Sequence, residues 1–161
     1  MLFQAPTLAD LNLAYTWPIA SLALGATLLL IADLFVPKDP KEITAWLAMA
    51  GIAVSFLLNL GAYNINDVAF FGMFKVDAFS AFLNSVALLT AFISILISVD
   101  YIKRTGLERG EFYALILFTT SGIMLMGHAN DLVVVFVALE LLSIPLYIMS
   151  MMPVVVNRMS A

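Results

Sequence analysis

Five long apolar stretches alternate with short polar breaks along the chain. The first runs from about Trp17 to Val36 and stops at PKDPKE, where two prolines and four charges forbid a continuing helix. The others cover Thr44 to Ala62, Ala78 to Ile102, Phe112 to Gly127 and Leu132 to Met152. The breaks between them are the polar YNINDVAFFGMFKVD loop, KRTGLERGE and HAND. A membrane crossing takes roughly 17 to 25 residues at about 1.5 Å each, so the fourth stretch, the shortest, is expected to extend into its flanks. None of the stretches alternates with period two, and a backbone surrounded by hydrocarbon must be a helix or a closed barrel. The pattern predicts an all-α polytopic membrane protein, one membrane domain over 1–161 with spans at 17–36, 44–62, 78–102, 112–127 and 132–152.

Composition strengthens this reading. Hydrophobic residues make up 63% of the chain and charged residues 11%, against about 25% charged in a soluble domain. With no cysteine, disulfides and thiolate-held metals or iron–sulfur clusters are excluded. No basic block points to nucleic acid, and the single His128 cannot supply a bis-histidine haem site. The opening MLFQAPTLADLNLAY lacks the features of a cleaved signal and is read as mature sequence.

The cations set an orientation. With five spans, Lys38, Lys41, Lys103, Arg104, Arg109 and Arg158 share one side and Lys75 alone lies on the other. Positive residues favour the cytoplasm, which places the N-terminus outside and the C-terminus inside. Tyr15, Trp17, Trp46, Tyr101 and Tyr113 sit near span ends, as interfacial anchors do.

Within the spans one residue stands out. Glu140 lies nine residues after Asp131 and twelve before Met152, roughly 13 Å into a core about 30 Å thick. Loss of water disfavours an ionised carboxylate, and an ionisable group at that depth is by default a candidate for proton transfer. Ser143 and Tyr147 fall on the same helical side, with Ser150 slightly further round. This stripe is expected to face protein or water, leaving Val134, Val135, Ala138, Leu142 and Met149 for lipid. Pro145 leaves the Leu141 carbonyl without its helical donor, and a bend there would admit water beside the acid. The competing reading is an acid hydrogen-bonded to a neighbouring helix as structural glue.

Other polar residues carry less. Thr119, Thr120, Ser121 and Gly122 in the fourth stretch should lie at the depth of Glu140 and read chiefly as small-residue packing. Asn130 or Asp131 is placed to cap the fifth helix, and Asp77 the third. His128 reads first as an interfacial residue, with pH sensing or proton relay as the alternative. Asp33 is expected to pack or snorkel, Asp100 to pair with Lys103 and Arg104, and Asn59 and Asn84 to bridge helices. No phosphate-cradling loop, assembled nucleophile set or metal-ligand spacing is present.

The stretch EFYALILFTTSGIMLMGHANDLVVVFVALELLSIPLYIM, residues 111–149, resembles the antiporter-like membrane subunits of respiratory complex I, the proton-translocating NADH:quinone oxidoreductase. It is most similar to the N-type subunit, known as subunit 2 in mitochondria. The motif elements are the acid before the fourth helix, then LM, then NDL followed by LELLS-x-P-x-Y; FKVDAFSAF upstream also fits, and the likeness covers about residues 15 to 150. It implies a bundle of about fourteen helices with inverted five-helix repeats after the first three, of which this chain holds the first five. It also implies that Glu140 matches the fifth-helix glutamate central to pumping, which works with a lysine on a broken seventh helix.

This sequence departs from that pattern by having no Lys or Arg inside any span and by ending in SMMPVVVNRMSA. The expectation is the N-terminal portion of a truncated, split or frame-disrupted subunit. Its partners would be the other membrane subunits of complex I, the lipid bilayer and, for a split subunit, a polypeptide supplying helices 6 to about 14. No cofactor is expected in this chain; NADH, FMN, iron–sulfur clusters and quinone would belong to other subunits. A bacterial plasma membrane is the expected location, with an organellar membrane as the alternative. Rival readings are a non-pumping remnant or assembly protein, or a subunit of a related cation/proton antiporter or membrane hydrogenase.

Overall fold

The computed structural model describes residues 12–35, 42–105 and 110–159, the side chains at 42, 103–105 and 153–159 excepted. The PKDPKE run, most of the opening segment and the side chains of Lys38, Lys41, Lys103, Arg104, Arg109 and Arg158 therefore lie outside the described part. So do the expected partners of Asp100.

Among the described residues there are five α-helices: α1 (Trp17–Asp33), α2 (Glu42–Leu60), α3 (Ala78–Thr105), α4 (Glu111–His128) and α5 (Leu132–Met159). A short 3-10 turn, Leu13–Thr16, leads into α1, whose Pro18 occupies the first turn, where its missing N–H costs nothing. Four of the helices, all but α4, are long and apolar enough to cross a membrane. The exception has a physical reason. The middle of α4 carries Thr119, Thr120, Ser121 and Gly122, and its ends carry Glu111 and His128. Such residues are tolerable because α4 is the central helix, packed against α1, α3 and α5 and touching α2.

The core follows from that arrangement. Leu22 of α1, Leu88 and Ile95 of α3, and Leu117 and Met124 of α4 are fully enclosed. Helix α5 packs on α4. There a Cβ added at Gly122 would stand 2.8 Å from the Leu142 backbone nitrogen and 3.1 Å from the Leu141 carbonyl carbon. A side chain of any size at this position would push the two backbones apart. The outward faces are strongly apolar, with Leu24, Leu28, Leu57, Leu89, Ile97, Phe136 and Ile148 among the exposed residues.

The polar loop before α3 carries structure of its own. It forms a two-stranded antiparallel hairpin of β1 (Asp67–Ala69) and β2 (Phe74–Val76), with Val68 opposite Lys75. Its turn takes positive φ at Phe70 (51°), Phe71 (57°) and Gly72 (89°). For two phenylalanines this is an uncommon conformation, and it is held from outside. Asn130, in the α4–α5 turn, donates its side-chain N–H to the Gly72 carbonyl at 2.7 Å and its backbone N–H to that of Met73 at 2.9 Å. Phe74 also bridges to Ala129. At the base, the Tyr15 hydroxyl donates to the Asp67 carboxylate at 2.8 Å. The hydroxyl and the Val68 N–H together hold the Asp67 carboxyl below its usual range.

Candidate functional site

Glu140 lies in α5, eighteen residues from Gly122 in sequence and two from Leu142, whose backbone Gly122 approaches. The depth shared between the TTSG run and Glu140 is thus set by backbone contact. Ala138 and Pro145 are buried, Leu142 and Met149 are half-buried, and Glu140 and Tyr147 are exposed. The side expected to meet lipid is the one packed on α4. The reason is steric: the Gly122 approach needs a smooth α5 surface, and Ala138 supplies it where Glu140 could not. Among the described residues Glu140 has no hydrogen-bond or ion-pair partner. The Glu140–Tyr147 face is left uncovered by the other four helices.

The hydroxyls at the same depth are satisfied within their own helix. Thr119 donates to the Leu115 carbonyl at 2.9 Å, Thr120 to Ile116 at 2.7 Å and Ser121 to Phe118 at 2.7 Å. They serve close packing of α4, and none donates across to α5.

A second polar assembly occupies the hairpin end of the bundle. His128 is buried beneath the hairpin, its ring stacked on Phe74 with centroids 4.4 Å apart. Its Nδ1 lies 2.8 Å from the Lys75 carbonyl and its Nε2 lies 2.8 Å from Asn84 Nδ2. Asn84 also donates to Asn59 Oδ1 at 2.9 Å, and Asn59 donates to the Ala81 carbonyl at 2.9 Å and the Ser85 hydroxyl at 3.0 Å. Tyr63 completes the row against Ser85 at 3.0 Å. The imidazole is thus held from α3 and from the hairpin at once, with the Lys75 carbonyl on one nitrogen and Asn84 on the other. Asn59 and Asn84 do bridge helices, but their joining to each other and to His128 was not legible, because the three residues are far apart in sequence.

The helix ends are secured as their sequences lead one to expect. Asp77 accepts the Ser80 N–H at 2.8 Å while Ser80 Oγ accepts the Asp77 N–H at 3.0 Å, a reciprocal cap on α3. Lys75 pairs with Asp77 at 2.9 Å. The Ser80 N–H and Lys75 hold the Asp77 carboxyl below its usual range. Asp131 caps α5 through the Val133 N–H at 2.8 Å. Asp33 accepts from the Thr44 hydroxyl at 3.3 Å, and its carboxylate fills the space beside Gly110 at the start of α4. Of the expected anchors, Trp17, Trp46 and Tyr101 are exposed, whereas Tyr113 is buried. Among the described residues no cluster of His, Cys, Asp or Glu could hold a metal ion.

No protein-family model matches the chain. It is 41% identical over 125 residues to NADH-quinone oxidoreductase subunit N 2 of Roseiflexus castenholzii, covering 78% of this chain and 25% of that protein. It is 37% identical over 145 residues to subunit N of Chloroflexus aggregans, covering 89% and 30%. To NAD(P)H-quinone oxidoreductase subunit 2 of Gloeothece citriformis it is 32% identical, covering 92% and 29%. Among solved structures, a chain of respiratory complex I from Thermus thermophilus with bound aureothin matches with TM-score 0.65 and 28% identity, over 81% of this chain and 28% of that one. The chain spans between 25% and 30% of the length of these curated relatives.

Proposed function

We propose that this chain, which belongs to the N-type antiporter-like subunits of NADH-quinone oxidoreductase over the part of their length it spans, is a membrane component of that complex. It would take part in proton translocation driven by electron transfer from NADH to quinone. The observation that carries the reading is the similarity to subunit N of Roseiflexus and Chloroflexus across 78% and 89% of the chain. The likeness to a complex I chain from Thermus supports the same assignment.

In this reading all five helices cross a bacterial plasma membrane, with the N-terminus and the hairpin outside and the C-terminus in the cytoplasm. Glu140 takes up and releases a proton as its surroundings change. Its uncovered face supports this role, because an acid at that depth is stable only against protein or water. The cover would come from other membrane subunits of the complex, or from a polypeptide supplying the remaining helices. NADH, flavin, iron–sulfur clusters and quinone would be held elsewhere in the assembly.

The test is Glu140→Gln in the assembled complex, with protons moved per NADH oxidised as the readout. A fall in that ratio with assembly intact supports the relay. An unchanged ratio leaves the second reading, a non-pumping structural component.

A further inference from the structure

His128 is fixed at both ring nitrogens, and the partners dictate where its hydrogens lie. Nδ1 faces the Lys75 carbonyl at 2.8 Å. A carbonyl only accepts, so Nδ1 carries a hydrogen, and in the neutral ring Nε2 is a bare acceptor. Asn84 Nδ2 meets that acceptor at 2.8 Å and gives its second hydrogen to Asn59 Oδ1 at 2.9 Å. Asn59 passes the same polarity on to the Ala81 carbonyl and to Ser85. Both branches point away from Asn84, whose own Oδ1 is buried with no partner. It is the one buried side-chain nitrogen or oxygen so placed among the described residues.

A buried acceptor left open beside a titratable ring calls for a reason. A proton added to Nε2 would set a donor against the Asn84 N–H. A half-turn of the Asn84 amide removes the conflict by presenting Oδ1 to the ring. That turn also takes the donor away from Asn59 Oδ1, so Asn59 must turn in its place. Asn59 then accepts from the Ser85 hydroxyl and gives up its bond to the Ala81 carbonyl.

We propose that His128 is a proton-binding site whose occupancy sets the direction of the Asn84–Asn59–Ser85 hydrogen-bond chain, and with it the tie among α2, α3 and α4 at the hairpin end. The proposal stands independently of Glu140. The groups around the ring are few. From β2 come the Lys75 carbonyl, the Phe74 ring and, just beyond, the Asp77 carboxylate, paired with Lys75 Nζ at 2.9 Å. From α3 and α2 come the uncharged Asn84 and Asn59, with the Tyr63 hydroxyl at the far end on Ser85. In the α4–α5 turn, the Asp131 carboxylate is engaged by the Val133 N–H. Burial opposes charge on the ring, so the arrangement described is the resting form near neutrality and the reversed chain is the acidic form.

His128 is the only histidine, so the intact chain in lipid nanodiscs, made with ring-15N histidine and 15N asparagine, yields one imidazole to follow. Near neutral pH the ring should show the Nδ1-protonated tautomer. On acidification Nε2 should gain its proton while the Asn84 and Asn59 side-chain amides shift with the same midpoint. In Asn84→Asp, with helix content unchanged, the midpoint should rise by about one pH unit or more, because a carboxylate accepts from the protonated ring. The Nε2-protonated tautomer at neutral pH would overturn the proposal. So would a ring that titrates while the Asn59 amide stays still, or one that stays neutral until the protein unfolds.

Discussion

Gly122 of α4 and Leu142 of α5 meet backbone to backbone, with only 2.8 Å from a hypothetical Gly122 Cβ to the Leu142 nitrogen. Alanine favours a helix over glycine by about 1 kcal/mol, yet here the obstacle is main chain and cannot swing aside. Overpacking of this kind costs about 1 to 3 kcal/mol. Gly122→Ala is therefore expected to destabilise the α4–α5 pair, and Gly122→Val to do so more. Unfolding in mixed detergent micelles, read by circular dichroism, checks the order glycine, alanine, valine.

Glu140 has no partner among the described residues and lies on the uncovered side of α5. Glu140→Gln is expected to leave the stability of the isolated chain within about 0.5 kcal/mol of the parent, while lowering protons moved per NADH in the assembled complex. The same unfolding assay, paired with a proton-flux measurement, separates the two. A large loss of stability in the chain alone would mean that Glu140 serves the fold.

Asp77 and Ser80 cap α3 reciprocally. Asp77→Ala should cost about 0.5 to 2 kcal/mol, the usual range for a lost cap. The sign of its pH dependence follows from the lowered carboxyl. The contribution is complete above the unfolded carboxyl value of about 3.9 and disappears as pH falls through the lower folded value. Stability of parent and variant should therefore converge below about pH 4.

Much of the helical layout could be read from hydropathy and turn residues, because apolar runs mark the helices and Asp77 and Asn130-Asp131 stand where α3 and α5 open. Glu140 was equally visible, since an acid within an apolar run breaks the pattern by itself. What escaped was direction. The helical wheel separates polar from apolar sides of α5, but Gly122 on another helix decides which side is covered. The hairpin escaped too, since its strands are three residues each and its turn is stabilised by Asn130, distant in sequence. The His128 assembly depends on three helices meeting, and neither Asn59 nor Asn84 announces its partner locally.

The grip of Asn130 on the hairpin tip has a mechanical side. The same short turn that fastens Gly72 and Met73 also launches α5. A rocking motion of the helix bearing Glu140 would therefore drag the hairpin with it.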